Sequence, residues 1–274
     1  MGVSQRRACK ALGFPRTTIR YAPKVDEMEA VIIDKLAQHK RNHPTWGYEK
    51  MTGLLRNDGF HINPKRTYRL CKENGWLCPR RTKKPRKASG DISNACHIRK
   101  ASLGNEVWAL DFVSDRTCDG KSLKILTVLD EHTREALAVR VERKIGAADV
   151  RGVLLGLFKK RGIPAFVRSD NGSEFAGHLL EEAMSAVGSE VALIAPGSPW
   201  QNGKNERFNG ILVEEVLSRE VWGNLLEAQV VCEQWRETYN QVRPHGSLGM
   251  MTPHQYALHE KQRGCWFQQS NLAD

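Results

Sequence analysis

The sequence predicts an α/β core preceded by a basic, all-helical module. Three observations carry this: apolar residues recur at helical spacing up to Cys78, a block of basic residues with two prolines follows, and from Glu106 onward the pattern changes to strand-like runs. The 274 residues suffice for one sizeable core plus one or two small modules, and a 40% apolar content can fill that core.

A formal net charge of +11 points to a polyanionic partner, because clustered Lys and Arg release counterions from a phosphate backbone. No run of about 18 apolar residues is present and the N-terminus lacks an uninterrupted apolar leader. No membrane association is therefore expected, and in a bacterium the expected location is the cytoplasm, on the nucleoid DNA. The seven cysteines are scattered and form no Cys-x-x-Cys pair, as expected of reduced, structural thiols.

Ser4 to Tyr21 reads as a short helix, a turn at Gly13 and a second short helix opening at Pro15, a helix-turn-helix shape. An amphipathic helix carrying Val31, Ile32 and Leu36 follows from Val25 and stops at His43-Pro44. Another helix runs from the Thr45-Trp46-Gly47-Tyr48 segment to about Arg56 and ends in the turn Asn57-Asp58-Gly59. The next has Asn63 as N-cap, Pro64 at its first position and Gly75 just past its end. Lys65, Arg69 and Lys72 share one face of it, with Arg66 beside them, while Thr67, Leu70 and Cys71 occupy the other. A DNA-recognition helix has this character, and so has an ordinary helix with a solvated cationic face.

Pro79 to Lys87 holds six basic side chains in nine positions: Arg80, Arg81, Lys83, Lys84, Arg86 and Lys87. Two prolines forbid a continuous helix, so this segment is a linker suited to tracking phosphates. Beyond it, strands are expected over Glu106 to Asp115, Leu123 to Asp130 and Ala136 to Val141, as an antiparallel meander. A helix over Ala147 to Arg161, a strand from Ala165 to Ser169, a helix from Phe175 to Val187, a strand from Glu190 to Ile194 and a long helix through Val216 complete the set. That order is the order of a ribonuclease-H-like fold. The expected organisation is a helix-turn-helix DNA-binding region (1–78), a basic linker (79–102), a catalytic core (103–220) and a C-terminal helical extension (221–274).

Three carboxylates stand out by their surroundings: Asp111 in Trp-Ala-Leu-Asp-Phe, Asp170 in Arg-Ser-Asp-Asn-Gly and Glu206 in Asn-Gly-Lys-Asn-Glu-Arg, thirty-five residues separating the last two. Asp111 falls mid-strand, where a lone carboxylate is costly unless a cation compensates it. Asp170 follows an apolar strand, at the carboxyl end where open α/β sheets present their sites. Hard oxygen donors without convergent His or Cys favour Mg²⁺ or Mn²⁺ over zinc, and two such ions suit phosphoryl transfer. Asp115, Asp130 and Glu174 are the rival carboxylates, assigned to turns, surface or supporting positions. Lys204 and Arg207 flank Glu206 and are candidates for DNA contact.

The quoted segments resemble those of the second-reading-frame (orfB-type) transposases of copy-out, paste-in insertion sequences, close to retroviral integrases. His43-Pro44-Thr45-Trp46-Gly47-Tyr48, Trp108-x-x-Asp111, Ser169 to Phe175, and Pro196-x-x-Pro199-x-x-Asn202-Gly203-x-x-Glu206-Arg207-x-Asn209 appear in the family's order. Tyr239-Asn240, Arg243-Pro244-His245, Leu248 and Thr252-Pro253 complete it. The resemblance implies a ribonuclease-H-like integrase core in which Asp111, Asp170 and Glu206 bind two metal ions, a homo-oligomer on double-stranded DNA (terminal inverted repeats and target), and a first-frame partner or fusion. Val113, where relatives often carry Thr, is a departure that leaves the ligands intact. Retroviral integrases also carry a His-His-Cys-Cys zinc module; His39, His43, Cys71 and Cys78 invite comparison, but six residues between the cysteines exceed the usual two to four. A decayed, non-catalytic DNA-binding protein and a ribonuclease H for RNA–DNA hybrids are the other classes. The intact triad argues against the first, and the basic helical module and Arg243-Pro244-His245 against the second.

If the linker's cations contact phosphates, neutralising several of Arg80 to Lys87 weakens binding to any duplex. The slope of log K against log salt then flattens by about 0.9 per lost contact. A salt titration with unchanged slope would release the linker from that role.

Overall fold

The computed structural model describes residues 3–21, 27–79, 101–169, 184–185, 187–193 and 203–268. Five helices come first: α1 Gln5–Leu12, α2 Arg16–Arg20, α3 Glu27–Asn42, α4 Tyr48–Asn57 and α5 Pro64–Glu73. Local chemistry sets their ends. Gly13 closes α1 at φ +69°, and the Asn63 side chain caps α5 by accepting the Lys65 N–H at 2.9 Å, with Pro64 following as the sequence implies. Ile32, Leu36, Trp46, Met51, Leu54, Leu55, Leu70 and Cys71 form the core shared by α3, α4 and α5. Val31 is half exposed, because Ile32 and Leu36 lie one turn apart on the inward face and Val31 points about 100° away from Ile32.

The second unit is a five-stranded mixed sheet of order β3-β2-β1-β4-β5, with β1 Val107–Arg116, β2 Ser122–Asp130, β3 Ala136–Glu142, β4 Phe166–Ser169 and β5 Glu190–Leu193. β1, β2 and β3 pair antiparallel, and β4 joins β1 in parallel after the crossover helix α6, Ala147–Arg161. Both faces are covered, so β2 places apolar residues on each side, interrupted by Lys124 and Thr127. Leu126 and Val128 pack under Val150, Leu154 and Phe158 of α6, while Leu123, Ile125 and Leu129 face the opposite layer. That layer consists of α7 Gly203–Leu212, which continues as a π-helical turn over Val213–Leu217, and α8 Leu225–Gln241. Trp235 and Tyr239 of α8 enclose Phe208 of α7, and the Asn240 amide pairs with both backbone groups of Ala136 at 2.8 and 2.9 Å. A 3₁₀ turn at Gly246–Leu248 and α9, Pro253–Gln262, follow. Of the expected 175–187 helix, Met184, Ser185 and Val187 lie within the described residues; the first two are helical and Val187 is in a turn.

The helical module meets the core around one buried carboxylate. Glu215, in the π turn, accepts from Arg243 Nε at 2.9 Å and from the Trp235 indole at 3.2 Å, with Lys50 of α4 at 3.9 Å. The Arg243 guanidinium lies 5.9 Å from the Trp46 ring and 5.5 Å from Tyr239, within cation–π range. Burial first, then Arg243, lowers the Lys50 ammonium to about 8, with Glu215 opposing. Gly53 of α4 is required by contact: a Cβ there would meet Pro244 Cγ at 2.9 Å.

Replacing Arg243 by Met removes the hydrogen-bonded cation from the largely buried Glu215 carboxylate, and a loss of about 3–5 kcal/mol is expected in urea unfolding. Adding Glu215→Leu should recover part of it, since replacing a whole buried ion pair by apolar residues is often neutral. Additive losses in the double variant would disprove the pairing.

Candidate active site

Asp111 is the fifth residue of β1, opposite Thr127 of β2. Its Oδ2 accepts from Asn209 Nδ2 at 2.8 Å and its Oδ1 from the Phe112 N–H at 2.8 Å. The Thr127 hydroxyl reaches both Asn209 Oδ1 (3.0 Å) and the Asp111 carbonyl (3.1 Å), so sheet and helix are tied by a side-chain network. Asn209 is one turn beyond Glu206 on α7, and i, i+3 residues share a helix face with Cβ atoms about 5–6 Å apart. Glu206 therefore stands, exposed, on the flank of α7 that addresses Asp111. It also lies in the first turn, where the helix dipole favours a carboxylate.

Asp170, the residue after β4, lies outside the described residues, as does Glu174. The other rivals are structural. Asp115 accepts from the Trp222 indole at 2.7 Å, and Asp130 knots the β2–β3 turn by accepting the N–H groups of Asn105, His132 and Thr133 while pairing with Arg161 at 3.2 Å. The donors offered by Asp111 and Glu206 are hard oxygens, the chemistry of a Mg²⁺ or Mn²⁺ site. Beside Glu206 the Asn205 amide is wholly buried with no hydrogen-bond partner among the described residues, a polar demand of the kind that an ordered water or ion meets.

The residues invoked for a zinc module do not converge. His39 binds Asp58 at 2.6 Å, His43 stacks on Trp46 at 3.9 Å, Cys71 is buried among apolar side chains and Cys78 lies against the Pro44, Thr45 and Trp46 carbonyls.

The candidate DNA-contacting cations divide in the same way. On α5, Arg66 and Arg69 each hold Glu29 of α3 at 2.8 Å, and Arg69 also reaches Glu73 at 3.2 Å. Lys65 and Lys72 are exposed with no ion pair among the described residues. Arg80, Arg81, Lys83, Lys84, Arg86 and Lys87 lie outside them. Lys204 pairs with the buried Glu131 at 3.3 Å, beside Arg168, and Arg207 is exposed. Sequence reasoning quoted Asn209 without giving it a role, although its i+3 spacing from Glu206 was a usable signal. Thr127 carried none, because its part depends on cross-strand register.

A mixed five-stranded sheet between helical layers, with carboxylates where β1 meets α7, defines an integrase-type core of ribonuclease-H-like fold. Integrase core domain models match residues 102–199 and 187–253, and an HTH-like domain model matches 26–84, which spans α3 to α5 and begins after the α1–α2 pair. An uncharacterized protein of insertion element IS407 from Burkholderia multivorans is 34% identical over 94% of this chain and 91% of its own length. One from insertion element IS476 of Xanthomonas euvesicatoria is 34% identical over 93% and 72%, and the Escherichia coli transposase InsD of IS2 is 28% identical over 81% and 75%. A chain of the simian T-cell lymphotropic virus intasome shares the fold at TM-score 0.50 and 17% identity, over 88% of this chain and 76% of that one. The protein belongs to the insertion-sequence transposase family, of the orfB type. Its class is that of DNA-binding polynucleotidyl transferases.

Replacing Asn209 by Leu removes a donor from Asp111 and an acceptor from Thr127. A stability loss of about 1–3 kcal/mol is expected in urea unfolding, together with a fall in transposition rate larger than any fall in DNA affinity. Equal falls in rate and affinity would make Asn209 a structural residue only.

Proposed function

We propose that the protein cleaves one strand at each end of its element and joins the freed 3′ hydroxyl to another phosphodiester, with Asp111, Asp170 and Glu206 as the ligands of two Mg²⁺ or Mn²⁺ ions. The contact between Asn209 and Asp111 carries this reading, because it seats the helix bearing Glu206 against the strand bearing Asp111. Register supports the third member: Ala109 pairs with Arg168, and Asp111 and Asp170 each come two residues later in their sequences.

Held by Asp111, Asp170 and Glu206, two such ions would supply stabilisation of the attacking and leaving oxygens of an in-line displacement at phosphorus. In the first step water attacks the end phosphodiester and the 3′ oxygen leaves as a hydroxyl. In the second that hydroxyl forms a new P–O bond as another breaks, so no outside energy source or covalent protein intermediate is needed. The protein's residues hold geometry: Asn209 and Thr127 fix the Asp111 carboxylate, and the exposed Glu206 can approach the DNA. Regions 1–78 and 79–102 act as DNA-binding module and linker, 103–220 as core and 221–274 as extension. A first-frame product, joined as partner or fusion, supplies further recognition of the element ends.

Asp111→Asn, Asp170→Asn and Glu206→Gln should each reduce cleavage and joining of an end-containing duplex by several orders of magnitude while binding stays within a few-fold of the parent, because metal ligation serves chemistry rather than docking. Metal-dependent strand transfer by any of the three variants would remove that residue from the site.

A further inference from the structure

The side of α7 turned away from Asp111 faces a cavity of about 330 Å³. Lys204, Arg207, Phe208 and Ile211 line it, at i, i+3, i+4 and i+7. This face lies roughly 100° or more around the helix from Glu206 and is separated from it by no more than a helix diameter, about 10 Å. Arg134 of the β2–β3 turn, with Tyr239, His245 and Ser247 from the end of α8 and beyond, forms the remaining polar wall. Among the described residues no carboxylate lines it.

Among the described residues the charge balance around this cavity is incomplete. Asp130 is committed to Arg161 and three backbone N–H groups, and Glu131 to Arg168 and Lys204. Arg134 follows them in sequence, is partly buried, and has no carboxylate within ion-pair distance among the described residues; neither has Arg207. Burial lowers the Arg134 pKa, with Tyr239, Glu131 and Asp130 opposing. His245, desolvated and surrounded by Arg243, Arg134, Lys50 and Arg207, is lowered to about 4 and is neutral at pH 7, its Nδ1 3.0 Å from the Ser247 hydroxyl. A guanidinium partly withdrawn from water without a partner is costly, and a polyatomic anion offsets that cost through forked N–H donors.

We propose that this cavity is a phosphate site that seats one backbone phosphodiester of bound DNA, held by Arg134 and Arg207 with Ser247 as an uncharged partner. It deepens the transposase reading: a strand anchored here runs within one helix width of the carboxylate face of α7. The assignment to DNA rests on that reading, but its test does not require catalysis.

The full chain is titrated with a fluorescein-labelled random-sequence duplex in EDTA across 50–200 mM KCl. Arg134 sits at φ +62°, a conformation Asn tolerates well, so Arg134→Asn removes the guanidinium without added strain. Its salt slope should fall by about 0.9, so that affinity declines about three- to four-fold less over this range than in the parent. Arg207→Gln, at an exposed position, should do the same. Asp111→Asn should keep the parental slope, whether or not it still transfers strands. Parental slopes in folded Arg134→Asn and Arg207→Gln would overturn the proposal. So would a parental slope with lost protection against heat by inorganic phosphate in Arg134→Asn, which would assign the cavity to free phosphate.

Discussion

The hydrogen bond from Asn209 to Asp111 is the constraint on which the site depends. A carboxylate in the middle of a central strand must be satisfied, and here a helix side chain does so while the Thr127 hydroxyl holds that side chain in turn. The bond fixes the rotation of α7 about its axis. With Asn209 turned to the sheet, Phe208 and Ile211 fall into the apolar layer under α8, and Glu206 is left at the exposed rim. The placement of the two candidate carboxylates and the core packing are thus two consequences of one helix orientation.

A second constraint joins the helical module to the core. Glu215 is buried, and it is matched by Arg243 and the Trp235 indole, with Lys50 of the other unit close by. The same guanidinium lies within cation–π range of Trp46, so the relative position of module and core is set by a polar cluster rather than by apolar contact alone. Buried ionic clusters contribute little net stability but tolerate few alternative arrangements. A protein that has to present a DNA-binding module and a catalytic face together has use for such a device. The π turn that carries Glu215 directly continues the helix of Glu206, and π segments recur at functional sites.

Helix α7 therefore separates two kinds of surface. One flank bears carboxylate oxygens suited to hard cations. The other bears guanidinium and ammonium groups around a cavity that no acid lines among the described residues. Neutral His245 and protonated Tyr239, its pKa raised to about 12 by burial, keep further charge out of the second surface.

The sequence alone determined α1 to α6 and β1 to β5, because local signals specify them, while it marked the C-terminal part only as a helical extension. Asn63 with Pro64 and Gly75 bounds α5, the strand-like run from Leu123 to Asp130 marks β2, and the Asp111 and Glu206 segments mark a strand and the first turn of a helix. It also separated the structural Asp115 and Asp130 from the candidate ligands. What only the tertiary structure decided is which distant segments meet. The Trp46 and Arg243-Pro244 segments were both legible as motifs, yet nothing local indicates that Gly53 must be small because Pro244 packs on it, or that Arg66 and Arg69 turn back to Glu29. Thr127, Glu215 and Arg134 were missed for the same reason. Capping, turn and periodicity preferences act within a few residues and are written into neighbouring side chains, whereas the satisfaction of a buried charge depends on whatever the fold brings within about 3 Å of it.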